Sequence, residues 1–411
     1  MSRYRKILIL STYPHVNPQH GGQKRADAIV RRYKELGLQV AYVGIYVKEA
    51  YGRRGSDDVY IEDSKSLSHI NNANRELTGD LATGWIARDD EAVYSAIRNK
   101  ISSFSPDIIQ VEQPYLTPLI NRLREDGYIS WQKIVYSSHN VEWRMKADML
   151  KNESHVSAGR KKDIVEQIKG LEHDIIKNSD YVISVTAEDC EYNKEHGAKR
   201  VVLAPNGIDA PIYDRRAIEK LQSEYERLGV RKTIVFVGSW HQPNWQGFLE
   251  LVSTGLGYIP HDTRIVIVGS IAGLIEEYFR GRSVVEITCF AQRAILMGRV
   301  SERRLGAVLN LANLIILPVT SGGGSNLKTA EAIQSKKATL ASEHAMRGYG
   351  REFMDLPYVH VAKGPAEFRK RMVQLVQEEG ESRSLSGKQV ALSDAVLWDK
   401  VLVNLKEVIA E

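Results

Sequence analysis

The chain has 411 residues, of which 43% are hydrophobic and 26% are charged. This length exceeds what one ordinary hydrophobic core holds, so we expect about two or three domains. The sequence has no apolar run long enough to span a bilayer and no signal-type apolar stretch near residue 1, which favours a cytoplasmic protein. The net charge of +5 argues only weakly for nucleic acid, and it fits an anionic substrate or an anionic membrane surface equally well.

The residue pattern contains no recognisable metal site. Cys190 and Cys289, the two cysteines, have neither the spacing of zinc ligands nor that of a disulfide framework. No Asp-x-Asp pair stands at the end of a predicted strand, and no His, Asp and Glu ligands cluster. We therefore expect neither a metal nor another cofactor.

In the first half of the chain, short apolar strands alternate with longer helical patterns, which is typical of parallel α/β layers. The first strand, KILILSTYP, precedes a helix that begins at GGQKR and carries Ala26, Ile29, Val30, Tyr33 and Leu36 at helical spacing. Further strands are predicted at QVAYV, DIIQV, KIVYS, YVISV and RVVLA.

The same pattern restarts after PNGID, residues 205–209. Strands are then predicted at TIVFVGS, RIVIVGS, AILMG, LIILPV and ATLAS. The sequence therefore predicts an α/β protein of two Rossmann-like domains, 1–205 and 206–390. Residues 391–411 are expected to form a helix that closes the second domain or packs back on the first.

The stretch LPVTSGGGSNLKTAEAI, residues 317–333, joins an apolar strand to a helix through three glycines. Ligands of open parallel sheets bind beyond the carboxyl ends of the strands, and the N–H groups at a helix start attract phosphate. Lys328 and Glu331 share one helix face, which suits a diphosphate and a ribose diol. The alternative is an ordinary glycine loop with a solvated Lys–Glu pair, because the string matches neither a Walker loop nor GxGxxG.

Characteristic segments are spread over nearly the whole chain. In order, they are GGQKR, SHNVEW, SDYVISVT, APNGID, FVGSW, GGGSNLKTAEA and the last helix around Trp398. In their order and spacing these segments resemble the GT-B glycosyltransferases of the family-4 type. The resemblance implies two Rossmann-like domains facing across a cleft, the first on the acceptor side and the second binding a nucleotide sugar.

The resemblance implies donor-binding residues at matching positions of both domains. The glycines and Ser239 would approach the diphosphate, the backbone N–H groups of residues 325–327 would bind its oxygens, and Glu331 would hold the ribose, as the last glutamate of the family's E-x7-E motif does. Ordinary turns are the alternative for the glycines. The set is Gly22, Gly238, Ser239, Ser325, Asn326, Leu327 and Glu331.

The sequence departs from the family's pattern in two places. The first glutamate of E-x7-E, which contacts the donor sugar in the family, falls at Gly323, and the segment WHQPNWQG contains neither arginine nor lysine. A leaving diphosphate needs positive charge nearby. Lys328 is the nearest candidate, and Arg299 is a second candidate with an ordinary surface arginine as the alternative. The donor sugar is therefore not predicted.

Two residues at predicted strand ends in the first domain are further candidates. His139 follows KIVYS, and the resemblance of HNVE suggests a histidine beside the donor sugar, with a structural histidine as the alternative. Glu112, in IIQVEQPYL, stands at the end of the predicted strand DIIQV and either binds the acceptor or is a solvated loop carboxylate. His139 and Lys328 are thus the catalytic candidates, and Glu112 is the acceptor-binding candidate.

The resemblance implies transfer of a hexose-type sugar from a nucleotide-diphosphate donor to a hydroxyl of a saccharide or lipid-linked acceptor, with retention and without a metal. By analogy, the pathway would be surface-polysaccharide or glycolipid assembly. A sugar-nucleotide 2-epimerase and a non-catalytic binding or scaffold protein stay open as alternatives. A nucleic-acid reader and an NAD enzyme are disfavoured, because neither an aromatic platform motif nor a GxGxxG after the first strand is present.

The first predicted helix is basic, which suggests weak peripheral contact with the inner face of the cytoplasmic membrane. Acidic residues dilute this charge, and an ordinary solvated face is the alternative. The basic residues are Lys24, Arg25, Arg31, Arg32 and Lys34.

Overall fold

The computed structural model describes residues 5–52, 55–63, 75–151, 153–239, 242–253, 255–378 and 384–410. The chain divides into two compact units. The first is Met1–Pro205 with Val401–Glu411, and the second is Asn206–Lys400. Each unit is built on one parallel sheet with helices on its faces.

The sheet of the first unit has seven strands in the order β3-β2-β1-β4-β5-β6-β7, and all neighbouring strands are parallel. The order reverses between β1 and β4, which is where open sheets of this kind bind ligands. The strands are β1 (Lys6–Ser11), β2 (Gln39–Val47), β3 (Val59–Ile61), β4 (Ile108–Glu112), β5 (Lys133–Ser137), β6 (Tyr181–Ser184) and β7 (Val201–Leu203).

The sheet of the second unit has six parallel strands in the order β10-β9-β8-β11-β12-β13. Its order reverses between β8 and β11. The strands are β8 (Lys232–Val237), β9 (Thr263–Val268), β10 (Ala294–Gly298), β11 (Leu314–Leu317), β12 (Thr339–Ser342) and β13 (Val359–Ala362).

Helices cover both faces of each sheet. Those of the first unit are α1 (Gly21–Glu35), α2 (Lys48–Tyr51), α3 (Arg75–Asp89), α4 (Glu91–Phe104), α5 (Thr117–Glu125), α6 (Glu142–Lys151), α7 (Ala158–Asn178) and α8 (Ala187–Glu195). Those that follow are α9 (Arg215–Arg227), α10 (Gln242–Val252), α11 (Ile271–Arg280), α12 (Val284–Ala291), α13 (Glu302–Asn310), α14 (Leu327–Ser335), α15 (Arg351–Met354), α16 (Gly364–Gln377), α17 (Gly387–Asp394), α18 (Trp398–Val401) and α19 (Lys406–Ile409). Short 3-10 turns occupy Pro114–Leu116, His344–Met346 and Val403–Leu405.

The central strands are apolar along their whole length because helices cover them on both sides. Residues 7–10 of β1 and 314–317 of β11 are buried without alternation. A strand that is buried on both faces has a continuous run of apolar residues, which is why the sequence predicts these strands well. The predicted fold class, two Rossmann-like units in an α/β protein, is confirmed.

Two strands and the shape of the chain terminus differ from the sequence-based prediction. The short strands β3 and β13 were not predicted. The predicted terminal helix is broken into α18, the 3-10 turn Val403–Leu405 and α19. Within the first unit, Lys133 Nζ donates to the carbonyl of Val408 (3.1 Å) and Asn404 Nδ2 donates to that of Leu203 (3.0 Å). Within the second unit, Trp398 N donates to Ile208 O (3.0 Å).

Across the described ranges, no helix combines the length and apolar character needed to cross a membrane.

A carboxyl group is buried at the start of α6. Glu172 on α7 is fully buried and accepts hydrogen bonds from the N–H groups of Glu142 (3.0 Å) and Trp143 (3.3 Å) and from the Tyr136 hydroxyl (3.2 Å). Burial, together with the nearby Glu142 carboxylate, raises the pKa of Glu172 to about 8. Glu172 is therefore protonated in the folded protein at neutral pH.

We predict that Glu172→Gln removes part of the pH dependence of stability. In the wild type the folded state holds this proton up to about pH 8, whereas the ordinary pKa is 4.5, so its stabilising contribution is complete below pH 4.5 and declines as the pH rises to about 8. The decline is at most about 1.4 kcal/mol per pH unit. Urea unfolding of both proteins from pH 5 to 8 measures it, and parallel stability curves would contradict the prediction.

Candidate functional site

In the second unit, β8 and β11 end side by side where the strand order reverses. Gly238 follows β8, and its N–H donates to Val268 O (2.8 Å) while its carbonyl accepts from Ile271 N (3.2 Å). A Cβ at this position would lie 2.7 Å from Ile271 Cγ2. Packing therefore requires a glycine here, and the predicted phosphate contact cannot use the Gly238 N–H. Ser239 is exposed, and its oxygens accept hydrogen bonds from Asn244.

The glycine loop, residues 322–326, follows β11, and several of its carbonyl groups accept hydrogen bonds. Gly322 and Gly324 have φ values of 123° and 59°, which only glycine adopts easily. The carbonyls of residues 322, 324 and 326 accept from side chains of the segment that follows β12. The donors are His344 Nε2 to Gly322 O (3.1 Å), Arg347 Nε and Nη2 to Gly324 O (3.2 and 3.1 Å) and Tyr349 Oη to Asn326 O (2.7 Å). Asn206, from the APNGID segment, donates to Ser325 O (3.2 Å).

The N–H groups of the same loop differ from its carbonyls in their hydrogen bonding. In the part of the chain that the structure describes, the N–H groups of residues 322–327 donate no hydrogen bond. Asn326 caps α14 by accepting from Lys328 N (3.1 Å). Ser325 is only 8% exposed, and its hydroxyl has no hydrogen-bond partner among the described residues. A buried hydroxyl and several open N–H groups at a helix start suit a bound anion.

The structure gathers most of the predicted donor-binding residues of the second unit at the start of α14. Leu327 begins this helix, and Lys328 and Glu331 lie half-buried on its first turns. Arg299 is exposed just after β10, at the same edge of the sheet but on a different loop. That these residues contact the donor remains a prediction.

In the first unit, the candidate histidine belongs to a directional hydrogen-bond array. His139 Nε2 lies 2.5 Å from Glu112 Oε2, and His139 Nδ1 lies 3.3 Å from the Tyr13 hydroxyl. Gln110 Nε2 donates to the other oxygen of Glu112 (2.5 Å), and Tyr33 Oη donates to Gln110 Oε1 (2.7 Å). All five side chains are buried.

The charge on Glu112 sets the direction of this array. Burial alone would raise the pKa of Glu112, but the hydrogen bond and charge of His139, together with Gln110 and Arg25, outweigh burial and hold it below its ordinary value. An ionised carboxylate only accepts hydrogen bonds, so His139 carries a proton on Nε2 and, when neutral, accepts at Nδ1. Burial raises the pKa of Tyr13 well above its ordinary value, so its hydroxyl keeps its proton and can donate to Nδ1 of the neutral ring.

The solvated-carboxylate alternative for Glu112 is wrong, because its side chain is fully buried. Both carboxylate oxygens are bonded within the unit, and one of them orients His139. The contact of Glu112 with the acceptor stays a prediction.

Gly22 is the second residue of α1 and lies beside this array. A Cβ on Gly22 would lie 3.0 Å from the Tyr13 hydroxyl and 3.4 Å from His20 Cε1. The glycine therefore makes room for Tyr13 at the start of the helix. Its predicted contact with the diphosphate is not tested by this placement.

The basic face of α1 is smaller than the sequence indicates. Arg25 is 1% exposed, and its Nη1 donates to the carbonyl of Ala204 (2.9 Å), so it cannot contact a membrane surface. Arg31 pairs with Asp27 and Arg32 pairs with Glu35, each at 3.1 Å.

Sequence reasoning missed the residues that orient the two sites. Tyr13, His344, Arg347 and Tyr349 lie outside the matched segments, and their partners are distant in sequence. The available signal was position alone, because each lies at the end of a predicted strand or a few residues after it.

Over the ranges that the structure describes, no group of three or more His, Cys, Asp or Glu residues could hold a metal ion. The expectation of a metal-free protein stays a prediction.

Comparisons with known sequences identify no relative. No protein-family model matches the chain, and no curated protein matches it.

Solved structures do match the chain along nearly its whole length. Sucrose-phosphate synthase from Thermosynechococcus elongatus is 14% identical with a TM-score of 0.69, covering 98% of this chain and 98% of that one. Anabaena HepE in complex with UDP is 12% identical with a TM-score of 0.63, covering 98% and 99%. WaaG, a glycosyltransferase involved in lipopolysaccharide biosynthesis, is 13% identical with a TM-score of 0.62, covering 98% and 99%. These likenesses show that the chain has the GT-B fold.

We predict that Glu112→Leu lowers the free energy of unfolding by about 3–5 kcal/mol, because it leaves the buried donors of His139 and Gln110 without an acceptor. Glu112→Gln, which keeps one acceptor oxygen, should lose less. Urea unfolding at pH 7 measures both. A Glu112→Leu variant as stable as the wild type would contradict the buried array.

Proposed function

We propose that this protein is a glycosyltransferase that moves a sugar from a nucleotide-diphosphate donor to a hydroxyl of a saccharide or lipid-linked acceptor. The observation that carries the proposal is the start of α14, where N–H groups and the Ser325 hydroxyl, all without a hydrogen-bond partner among the described residues, adjoin Lys328. These groups suit the charge that develops on a leaving diphosphate. The GT-B fold supports the same assignment.

The donor and the pathway follow from the neighbours by analogy. HepE has been solved in complex with UDP and with UDP and glucose, which supports a nucleotide sugar as the donor. WaaG takes part in lipopolysaccharide biosynthesis, which supports surface-polysaccharide or glycolipid assembly. A cytoplasmic location, peripheral at the inner face of the membrane when the acceptor is lipid-linked, belongs to the same proposal.

In the transfer, the bond from the anomeric carbon to the diphosphate breaks, and its electron pair stays on the diphosphate. The acceptor hydroxyl oxygen forms the new bond to the anomeric carbon and loses its proton. We propose retention, with the departing phosphate accepting that proton and with Lys328 and the helix start neutralising the charge without a metal. Glu331 holds the ribose, and Arg299 is a second positive charge at the same edge.

His139 is proposed to contact the donor sugar. Both ring nitrogens are engaged in the structure, with Glu112 at Nε2 and Tyr13 at Nδ1. A sugar hydroxyl can therefore bond to Nδ1 only when the Tyr13 hydroxyl yields that position. Glu112 keeps its bond to Nε2 and preserves the orientation of the ring.

The test is a panel of sugar nucleotides and nucleoside diphosphates scored by thermal stabilisation, because a ligand that binds only the native state raises the melting temperature. Stabilising sugar nucleotides are then incubated without an acceptor. Equilibration of the sugar at C2 would identify a 2-epimerase, and binding without turnover on any acceptor would favour a binding protein. Absence of stabilisation by every compound would overturn the proposal.

We predict that Glu331→Ala weakens nucleotide binding by about 1.5–3 kcal/mol while leaving the fold intact, because it removes a charged hydrogen bond to the ribose. Calorimetry with the nucleoside diphosphate that the panel selects measures the loss. Glu331→Gln, which keeps a hydrogen-bonding group, should lose less. Unchanged affinity of Glu331→Ala would remove this residue from the site.

We predict that His139→Ala lowers turnover more than nucleotide affinity, because His139 contacts the sugar and not the diphosphate. The alanine variant leaves the buried Glu112 without one of its hydrogen-bond donors. His139→Gln serves as the folding control, because its amide can still donate to the carboxylate. Turnover and nucleotide affinity are measured for both. Wild-type turnover in both variants would make His139 a purely structural residue.

A further inference from the structure

The glycine loop of the second unit is held by one neighbouring segment through alternate carbonyls. His344, Arg347 and Tyr349 donate to the carbonyls of residues 322, 324 and 326, at distances of 2.7–3.2 Å. Every second carbonyl of the loop is therefore fixed toward the segment 344–349.

These bonds also fix the direction of the N–H groups. The peptide bonds are trans, and a trans peptide unit holds its carbonyl and the following N–H on opposite sides. With the carbonyls of residues 322, 324 and 326 turned toward the segment 344–349, the N–H groups of Gly323, Ser325 and Leu327 are turned away from it. Among the described residues these N–H groups have no acceptor.

We propose that His344, Arg347 and Tyr349 are positioning residues that aim the N–H groups of Gly323, Ser325 and Leu327 at the diphosphate of the donor. This inference rests on the proposed function. It assigns the three side chains, which lie outside every matched segment, to the phosphate site. It also gives Gly323 a role as an N–H donor.

Asn326 O is also held by the start of α14, where it accepts from the N–H groups of Thr329 (3.0 Å) and Ala330 (3.4 Å). The three glycines before it need the clamp, because they belong to no helix or strand. Three consecutive glycines rotate freely about φ and ψ, so their peptide units turn over easily and their ordering has a high entropic cost. An N–H group that is already oriented when the anion arrives binds it without that cost.

Arg347 contributes charge as well as direction. Its Nε and Nη2 both donate to Gly324 O, and that carbonyl belongs to the same peptide unit as the Ser325 N–H. A charged donor on the carbonyl polarises the peptide and strengthens its N–H as a donor. Arg347 thus supplies a positive charge behind the loop, whereas the segment WHQPNWQG supplies none.

The chain contains a matched pair of tyrosines for the test. Tyr349 Oη donates to Asn326 O at the start of α14, and Tyr358 Oη donates to Ile333 O near its end, both at 2.7 Å. Tyr349→Phe removes a hydroxyl that bonds the carbonyl of the N-cap residue Asn326, and Tyr358→Phe removes one that bonds Ile333 O within the helix and lies 2.6 Å from Ser393 Oγ. In this proposal, only the first disturbs the phosphate site.

The experiment measures the affinity of each variant for a nucleoside, its monophosphate and its diphosphate, with the base that the panel selects. Tyr349→Phe should lower diphosphate affinity about fivefold to tenfold, monophosphate affinity less, and nucleoside affinity not at all. Tyr358→Phe should leave all three affinities unchanged, even where it lowers the melting temperature.

Arg347 provides a second, independent comparison. Arg347 and Tyr349 border a cavity of about 640 Å³ that Leu251, Met354 and Phe368 also line. A shorter side chain at position 347 therefore fits without a clash. Arg347→Met should weaken the diphosphate more than Tyr349→Phe does, and Arg347→Lys, which keeps the charge, should recover part of the loss.

The outcomes separate this inference from the proposed function. If the wild type binds no nucleoside diphosphate, the proposed function fails and the inference fails with it. If the wild type binds the diphosphate and the Tyr349 and Arg347 variants bind it equally well, only the inference is overturned. An equal loss for nucleoside, monophosphate and diphosphate also overturns it, because the segment would then only support the fold.

Discussion

A trans peptide unit presents its carbonyl to one side and its N–H to the other, so a loop can offer N–H groups to an anion only when its carbonyls are satisfied elsewhere. The glycine loop meets this constraint through sheet topology. Strands β11 and β12 are parallel neighbours, with Ile315 opposite Thr339 and Leu317 opposite Ala341. The segments that follow them therefore emerge side by side, and the donors after β12 reach the carbonyls after β11.

In the first unit, polar groups are likewise satisfied and oriented by hydrogen bonds, but here the partners are side chains. Glu112 ends β4, which is the strand beside β1 where the order reverses. Its buried negative charge is stable only because hydrogen-bond donors surround it. One of these donors is Nε2 of His139, and this hydrogen bond orients the imidazole. The oriented ring places its Nδ1 beside the hydroxyl of Tyr13, which lies next to Gly22 at the start of α1. One carboxylate thus sets the orientation of groups that follow two different strands, β1 and β5.

Both units place their polar chemistry at the carboxyl ends of buried strands, and the first unit also buries carboxyl groups that differ in charge. Glu112 is held ionised by charged and polar partners, whereas Glu172 is held neutral because burial dominates. The contrast has a structural origin. Glu112 has a histidine and an arginine nearby, while Glu172 has backbone N–H groups, a tyrosine and the carboxylate of Glu142. Local partners, and not burial alone, decide the charge of a buried acid.

The sequence by itself determined the layers of this protein. Runs such as KILILS and LIIL specify strands buried on both faces, and the glycines before NLKTAEAI mark a helix start suited to an anion. The strands β3 and β13 were not predicted because they have only three and four residues, and the terminal helix is broken because its packing depends on residues far away in the chain. Only the tertiary structure decided that Glu112 is buried under His139 and that Arg347 and Tyr349 hold the glycine loop. The reason is physical. Secondary structure follows from the pattern of neighbouring residues, whereas burial, charge and hydrogen-bond direction depend on contacts between residues that the sequence separates by more than 20 positions.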